Sequence, residues 1–137
     1  MLDLPQKLET AAKALIDGAG LVTVFTGLCA DEQVTPRAIV SAMTGREQPQ
    51  GSGNFMVDLT VQVLSKADDS TIEEHRALCI STIGLFMQDD VASQLSSIVP
   101  DFHVFGFTNR NHREAIEDRA WVTEFSSEFY CAGLVLV

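Results

Sequence analysis

The sequence predicts an α+β domain, a mostly antiparallel sheet of about five strands with an N-terminal helix and a central helix packed on one face. Three observations carry this expectation. Apolar residues recur with helical spacing near the N-terminus. They alternate with strand spacing over residues 55–64 and 119–131. A helix-capping signal lies between those two stretches, and strands close together in sequence favour antiparallel neighbours with helices on one face.

Leu4, Leu8, Ala11, Ala12 and Leu15 fall on one face of a first helix, which Asp3 can cap with Gln6 and which Gly18 and Gly20 end. Residues 21–27 (LVTVFTG) are β-branched and aromatic and read as a short strand. Pro36 opens the next, over residues 37–43 (RAIVSAM). Residues 45–54 (GREQPQGSGN) are turn chemistry throughout and form a polar loop. In the strand that follows, Phe55, Val57, Leu59, Val61 and Val63 alternate with Met56, Asp58, Thr60 and Gln62.

Ser70 and Glu73 form a capping box for the main helix, which runs from Thr71 to about Met87. Asp68, Asp69, Glu73 and Glu74 stand where the helix dipole favours acids. Ile72, Leu78 or Cys79, Ile83, Phe86 and Met87 supply its buried face. Asp89 and Asp90 cap a shorter helix carrying Val91, Leu95 and Ile98, and Pro100 stops it. Two strands close the chain, residues 102–108 and 119–131, with a charged loop between them at 109–118. In the last strand Trp121, Phe125, Phe129 and Cys131 share one face.

The 137 residues fit a single domain, and a 46% hydrophobic content suffices for a core without a metal or disulfide staple. No apolar run approaches the roughly 20 residues of a membrane-crossing helix. The start, Met1-Leu2-Asp3-Leu4-Pro5, lacks the pattern of a secretion signal. A net charge of −10 argues against a surface that grips nucleic acid, since phosphate neutralisation needs Lys and Arg; an acidic wall instead repels a passing strand. Cys29, Cys79 and Cys131 are odd in number and widely spaced, as expected of free, mostly buried thiols in a reducing compartment.

The sequence carries no recognisable catalytic motif. The chain lacks the phosphate-loop, dinucleotide and nucleophile-elbow motifs; Gly51-Ser52-Gly53 has neither the lysine nor the following helix and reads as a loop tip. His75 and Cys79 have a spacing that can put two ligands on one metal, with His103, His112, Cys29 and Cys131 as loose further candidates. A core Cys79 with His75 at the core's edge explains the pair more simply. A Cys79 nucleophile with His103 as base has no support beyond residue type. The acids at 68–74 fail the calcium-loop pattern, and capping explains them. The chain is therefore read as non-enzymatic, with no catalytic residue, metal or cofactor.

Assembly fits better. The polar loop offers Arg46, Glu47, Gln48, Gln50, Ser52 and Asn54 to a partner. The charged segment offers Arg110, His112 and Arg113. The segment AGLVLV, with Leu134, Val135, Leu136 and Val137, is wholly apolar and must dock on its own core or on a neighbouring subunit.

The layout also resembles a known family. An amphipathic helix leads to the strand Pro36-Arg37-Ala38-Ile39-Val40. A polar loop, the alternating strand 55–64, the acid-capped helix 70–87 and a final pair of strands follow. This resembles the tail terminator and tail-completion (neck) proteins of long-tailed bacteriophages, in length, element order and texture over almost the whole chain. The resemblance implies a virion protein without cofactor, assembled in the host cytoplasm into a homo-oligomeric, six-membered ring. Such a ring would end the tail tube, contact the tube protein and the head–tail connector, and let DNA pass as a repelled strand. A head–tail connector or another minor tail protein shares the texture. Two readings of other classes stand beside it. One is a ligand-binding or enzymatic domain with a pocket lined by Trp121, Phe125 and the histidines; the other is an adaptor whose acidic face mimics nucleic acid.

Overall fold

The computed structural model describes residues 4–27, 34–47, 54–68, 70–117 and 119–133. Helical spacing at the N-terminus produces α1 (Leu4–Ala19), which buries Leu4, Leu8, Ala11, Ala12 and Ile16. Ile16 rather than Leu15 completes the stripe, and Gly20 turns the chain away at φ 66°. Then come β1 (Thr23–Thr26), β2 (Arg37–Glu47) and β3 (Asn54–Lys66). α2 (Ile72–Gly84) and α3 (Val91–Ile98) follow, and β4 (Phe102–Glu117) and β5 (Ala120–Gly133) close the described chain.

One five-stranded sheet has the order β1-β2-β3-β5-β4. β1 runs parallel to β2, and every other pairing is antiparallel. Because β5 lies between them, β3 and β4 point the same way, and the connection through α2 and α3 crosses over the sheet to join them. α1 packs on β1, β2, β3 and β5, α2 on β3 and β5, and α3 on β4. The α+β class and the helix-covered face thus match the expectation. The core lies between that face and the helices, with Val57, Leu59, Val61 and Val63 of β3 and Phe125, Phe129 and Cys131 of β5 buried beneath them.

Several boundaries differ, each for a local reason. The 21–27 strand shortens to Thr23–Thr26, since only these residues find partners along β2. The loop expected at 45–54 is narrower: β2 continues to Glu47 past an irregularity after Thr44, and β3 begins at Asn54. Of the charged loop expected at 109–118, residues 109–117 are strand. β5 pairs with β4 as far as Glu117↔Ala120, so backbone pairing overrides the polar side chains. The capping box uses Thr71 and Glu74 rather than Ser70 and Glu73: Thr71 Oγ1 accepts from Glu74 N–H at 3.1 Å, and Thr71 N–H donates to Glu74 Oε1 at 3.1 Å. Asp90 precedes α3 without capping it through its side chain. Trp121 is half-buried, its Nε1–H donating to the Ser70 carbonyl at 3.2 Å.

β1 stops short of Ala42, and α1 takes over there: the Ala42 N–H donates to Glu9 Oε2 at 3.0 Å. β4 and β5 pair as far as Glu117↔Ala120, and just before that pair's second member Arg119 holds φ 61°. A β-branched side chain at such a left-handed residue is strained. Arg119→Val is expected to destabilise the fold by about 1–2 kcal/mol in urea titration, whereas Arg119→Asn leaves the midpoint nearly unchanged.

Candidate assembly interface

β4 is the sheet's long edge. Its 16 residues would span about 53 Å if straight, against 4 residues in β1 at the other edge. Two irregularities interrupt it, with Phe105 extra between Val104 and Gly106, and Arg110 extra between Asn109 and Asn111. Bulges and charges of this kind restrain an edge from uncontrolled pairing. Arg113 reaches across to Glu124 (3.4 Å) and along the strand to Glu117 (3.9 Å) on the sheet's open face. His112 and Glu114 point to the helix face. There Glu114 forms a two-pronged ion pair with Arg76 of α2, at 2.8 and 3.1 Å.

The residues expected to meet a partner fall into two groups. Arg46 and Glu47 end β2 and Asn54 begins β3, where Asn54 pairs with Ala132 and Gly133 with Phe102. The bases of the polar loop and of the apolar C-terminal segment are therefore together at one end of the sheet. Gln48, Gln50, Ser52 and Leu134, Val135, Leu136 and Val137 lie outside the described residues. Arg110, His112 and Arg113 form the second group, midway along the edge strand, where Arg113 pairs with Glu124.

α2 decides what lies beside them. Its buried stripe is His75, Cys79 and Thr82, continued by Phe86 in the tightened turns beyond the helix. Of the apolar face expected from the sequence, Cys79 and Phe86 are buried, Leu78 and Ile83 pack partly buried against the core, and Met87 is exposed. His75 is not at the core's edge: it is 1% exposed, with Nδ1 2.9 Å from Ser65 Oγ and Nε2 2.8 Å from Thr123 Oγ1. Each hydroxyl can donate or accept, so the neutral ring is satisfied in either tautomer. Burial pushes the His75 pKa below the ordinary imidazole value; the Glu114 carboxylate opposes this more weakly and Arg76 adds to it. Burial also pushes the Cys79 thiol up and that of Cys131 to about 12, so both lack thiolate character at neutral pH. Among the described residues no three His, Cys, Asp or Glu side chains cluster as metal ligands.

One position on from the buried stripe runs a second, Arg76, Ile80, Ile83 and Met87. Ile80 is 74% exposed and Met87 54%. Together with His112 and Glu114 they line a groove of about 520 Å³ between α2 and β4, with an almost wholly apolar lining. Neither Trp121 nor Phe125 lines it, so of the pocket residues expected from the sequence only His112 is there. Reading the apolar residues of 72–87 as one face hid this groove. The spacing 75-79-82-86 beside 76-80-83-87 was the available signal. The centre of the sheet's other face is polar and acid-leaning, carrying Asp58, Thr60, Gln62, Glu124, Ser126 and Glu128, while Ile39 and the exposed Met43 of β2 flank it.

No family model matches the chain, and no curated protein matches its sequence. Among solved structures, the fold is similar to a chain in the virion of a native gene transfer agent particle. The TM-score is 0.56 at 9% identity, over 93% of this chain and 90% of that one. At that identity the likeness is one of fold.

The buried histidine gives a pH signature. Its folded pKa lies below the unfolded value near 6.5, so the unfolded chain binds the extra proton first as pH falls. His75's contribution is complete above about pH 6.5 and declines below it. Urea titrations of wild type and His75→Gln are expected to differ by a constant amount above that pH and to converge below it. Thr82 Oγ1 is buried with no hydrogen-bond partner among the described residues, so Thr82→Val is expected to stabilise by about 1 kcal/mol.

Proposed function

We propose that this chain is a non-enzymatic structural subunit of a virion, forming a ring at the neck or tail end of a phage-like particle. The observation that carries this reading is the end-to-end likeness of fold to a chain of a gene transfer agent virion, covering 93% of one chain and 90% of the other. The geometry is compatible with it. A bulged, charged edge strand, an open apolar groove and two chain segments leaving the same end of the sheet are surfaces suited to neighbours. The polar, acid-leaning centre of the open face suits a lumen through which DNA passes without sticking.

In this reading the ring is six-membered, ends the tail tube and contacts the tube protein on one side and the head–tail connector on the other. The end of the sheet bearing Arg46, Glu47 and Asn54 faces one of these partners. Its place is the virion's tail or neck, after assembly in the host cytoplasm.

Mass photometry over a concentration series, alone and with tail tubes, tests the proposal. Six-fold multiples of 14.9 kDa and rings in negative stain are the expected result. A monomer under every condition, or turnover of a substrate by the monomer, would overturn it.

A further inference from the structure

We infer that the groove between α2 and β4 receives the apolar segment 134–137 of a second copy of this chain. The inference rests on the subunit reading and specifies one contact within it. Three observations lead to it. Ile80, Ile83 and Met87 turn an apolar stripe toward β4, and His112 and Glu114 form the opposite wall. The charges at the rim, Arg76 and Glu114, are paired with each other, so an occupant need bring no charge. The sequence holds one short segment of matching chemistry, Leu134-Val135-Leu136-Val137, four aliphatic residues in succession following directly on β5.

Distance makes the contact intermolecular. β5 ends at Gly133, which pairs with Phe102, whereas the groove's β4 wall begins at His112, opposite Phe125. Eight strand steps separate Gly133 from Phe125, about 26 Å at the usual rise per residue. Residues 134–137 extend at most about 14 Å from Gly133. They fall short of the groove's β4 wall in their own chain. The donor surface and the acceptor surface are also different parts of the molecule. A contact between unlike surfaces repeats from copy to copy, and it yields a ring when the rotation closes.

Crosslinking between two marked chains tests this directly. In a Cys29→Ser, Cys79→Ala background, which removes the native thiol lining the groove, one chain carries Met87→Cys and a second, larger tagged chain carries Leu136→Cys. The two are mixed and treated with a short bis-maleimide. A heterodimer on denaturing gels is expected, and no such band when Met87→Cys is replaced by Thr60→Cys on the opposite face of the sheet. Ile80→Glu is expected to abolish the crosslink and to raise the concentration needed for assembly at least tenfold. Because Ile80 is exposed, the melting midpoint should be unchanged. Deleting residues 134–137 should have the same effect on assembly.

An oligomer indifferent to both changes and giving no heterodimer overturns the inference and leaves the subunit reading standing. So does a small apolar molecule found in the groove by native mass spectrometry with assembly unaffected by either change. A chain that stays monomeric at every concentration and with tail tubes present defeats the subunit reading, and the inference with it.

Discussion

The seating of α2 on the sheet depends on one buried polar contact. His75 reaches the Ser65 hydroxyl of β3 and the Thr123 hydroxyl of β5, two strands hydrogen-bonded to each other. Leaving either hydroxyl or ring nitrogen unmatched in this dry setting would cost about 1–3 kcal/mol, so the contact fixes the helix's rotation as well as its position. That rotation sends Cys79, Thr82 and Phe86 inward. It sends Ile80 and Met87 outward, over the flank of β4. An apolar clamp would have tolerated a turn of the helix; a two-sided hydrogen bond does not. The exposed stripe is therefore a consequence of the polar core, and the Arg76–Glu114 pair tethers the helix to the edge strand from outside.

Much of this architecture was legible in the residues because local and global preferences agree. The alternation of residues 55–63 and the stripe of α1 each match their burial nearly residue for residue. Reading failed where the side chains were polar but the backbone was paired. Residues 109–117 carry asparagines, arginines and glutamates and look like a loop, yet they form the second half of β4 because β5 offers a continuous partner. The same cause underlies the misplaced face of α2. A histidine counts as polar in a periodicity argument, and its burial follows only from two hydroxyls that are 10 and 48 residues away in sequence. Of the expected contact residues, the structure unites the base of the polar loop with that of the C-terminal segment. No periodicity could have done so, because the pairing of Asn54 with Ala132 is long-range.

The edge strand and the groove must be considered together. A 16-residue edge with an apolar flank is an aggregation hazard unless its pairing is restricted. Here the restriction is built in twice. The irregularities at Phe105 and Arg110 break the strand's regular hydrogen-bonding register. The charges of Arg113, Glu114 and Glu117 line its second half and disfavour an uncharged strand laid flat along it. What remains open is the groove behind the edge, a recess that admits side chains more readily than backbone.

Net charge sets the conditions under which such a subunit assembles. Each copy carries −10, so bringing copies together raises electrostatic self-repulsion, and an apolar contact must exceed it before a closed assembly forms. Repulsion between exposed charges is screened over about 8–10 Å at physiological salt, whereas apolar burial is not weakened by salt. The balance therefore tilts toward assembly as salt rises, the reverse of an assembly held by ion pairs. It also tilts when a partner fixes the copies side by side and removes the entropy of bringing them together. In the proposed assembly a subunit balanced in this way would stay dispersed while free and close into a ring on a template, and the surfaces proposed to make the difference are aliphatic: Ile80 and Ile83 on one side and the segment after Gly133 on the other.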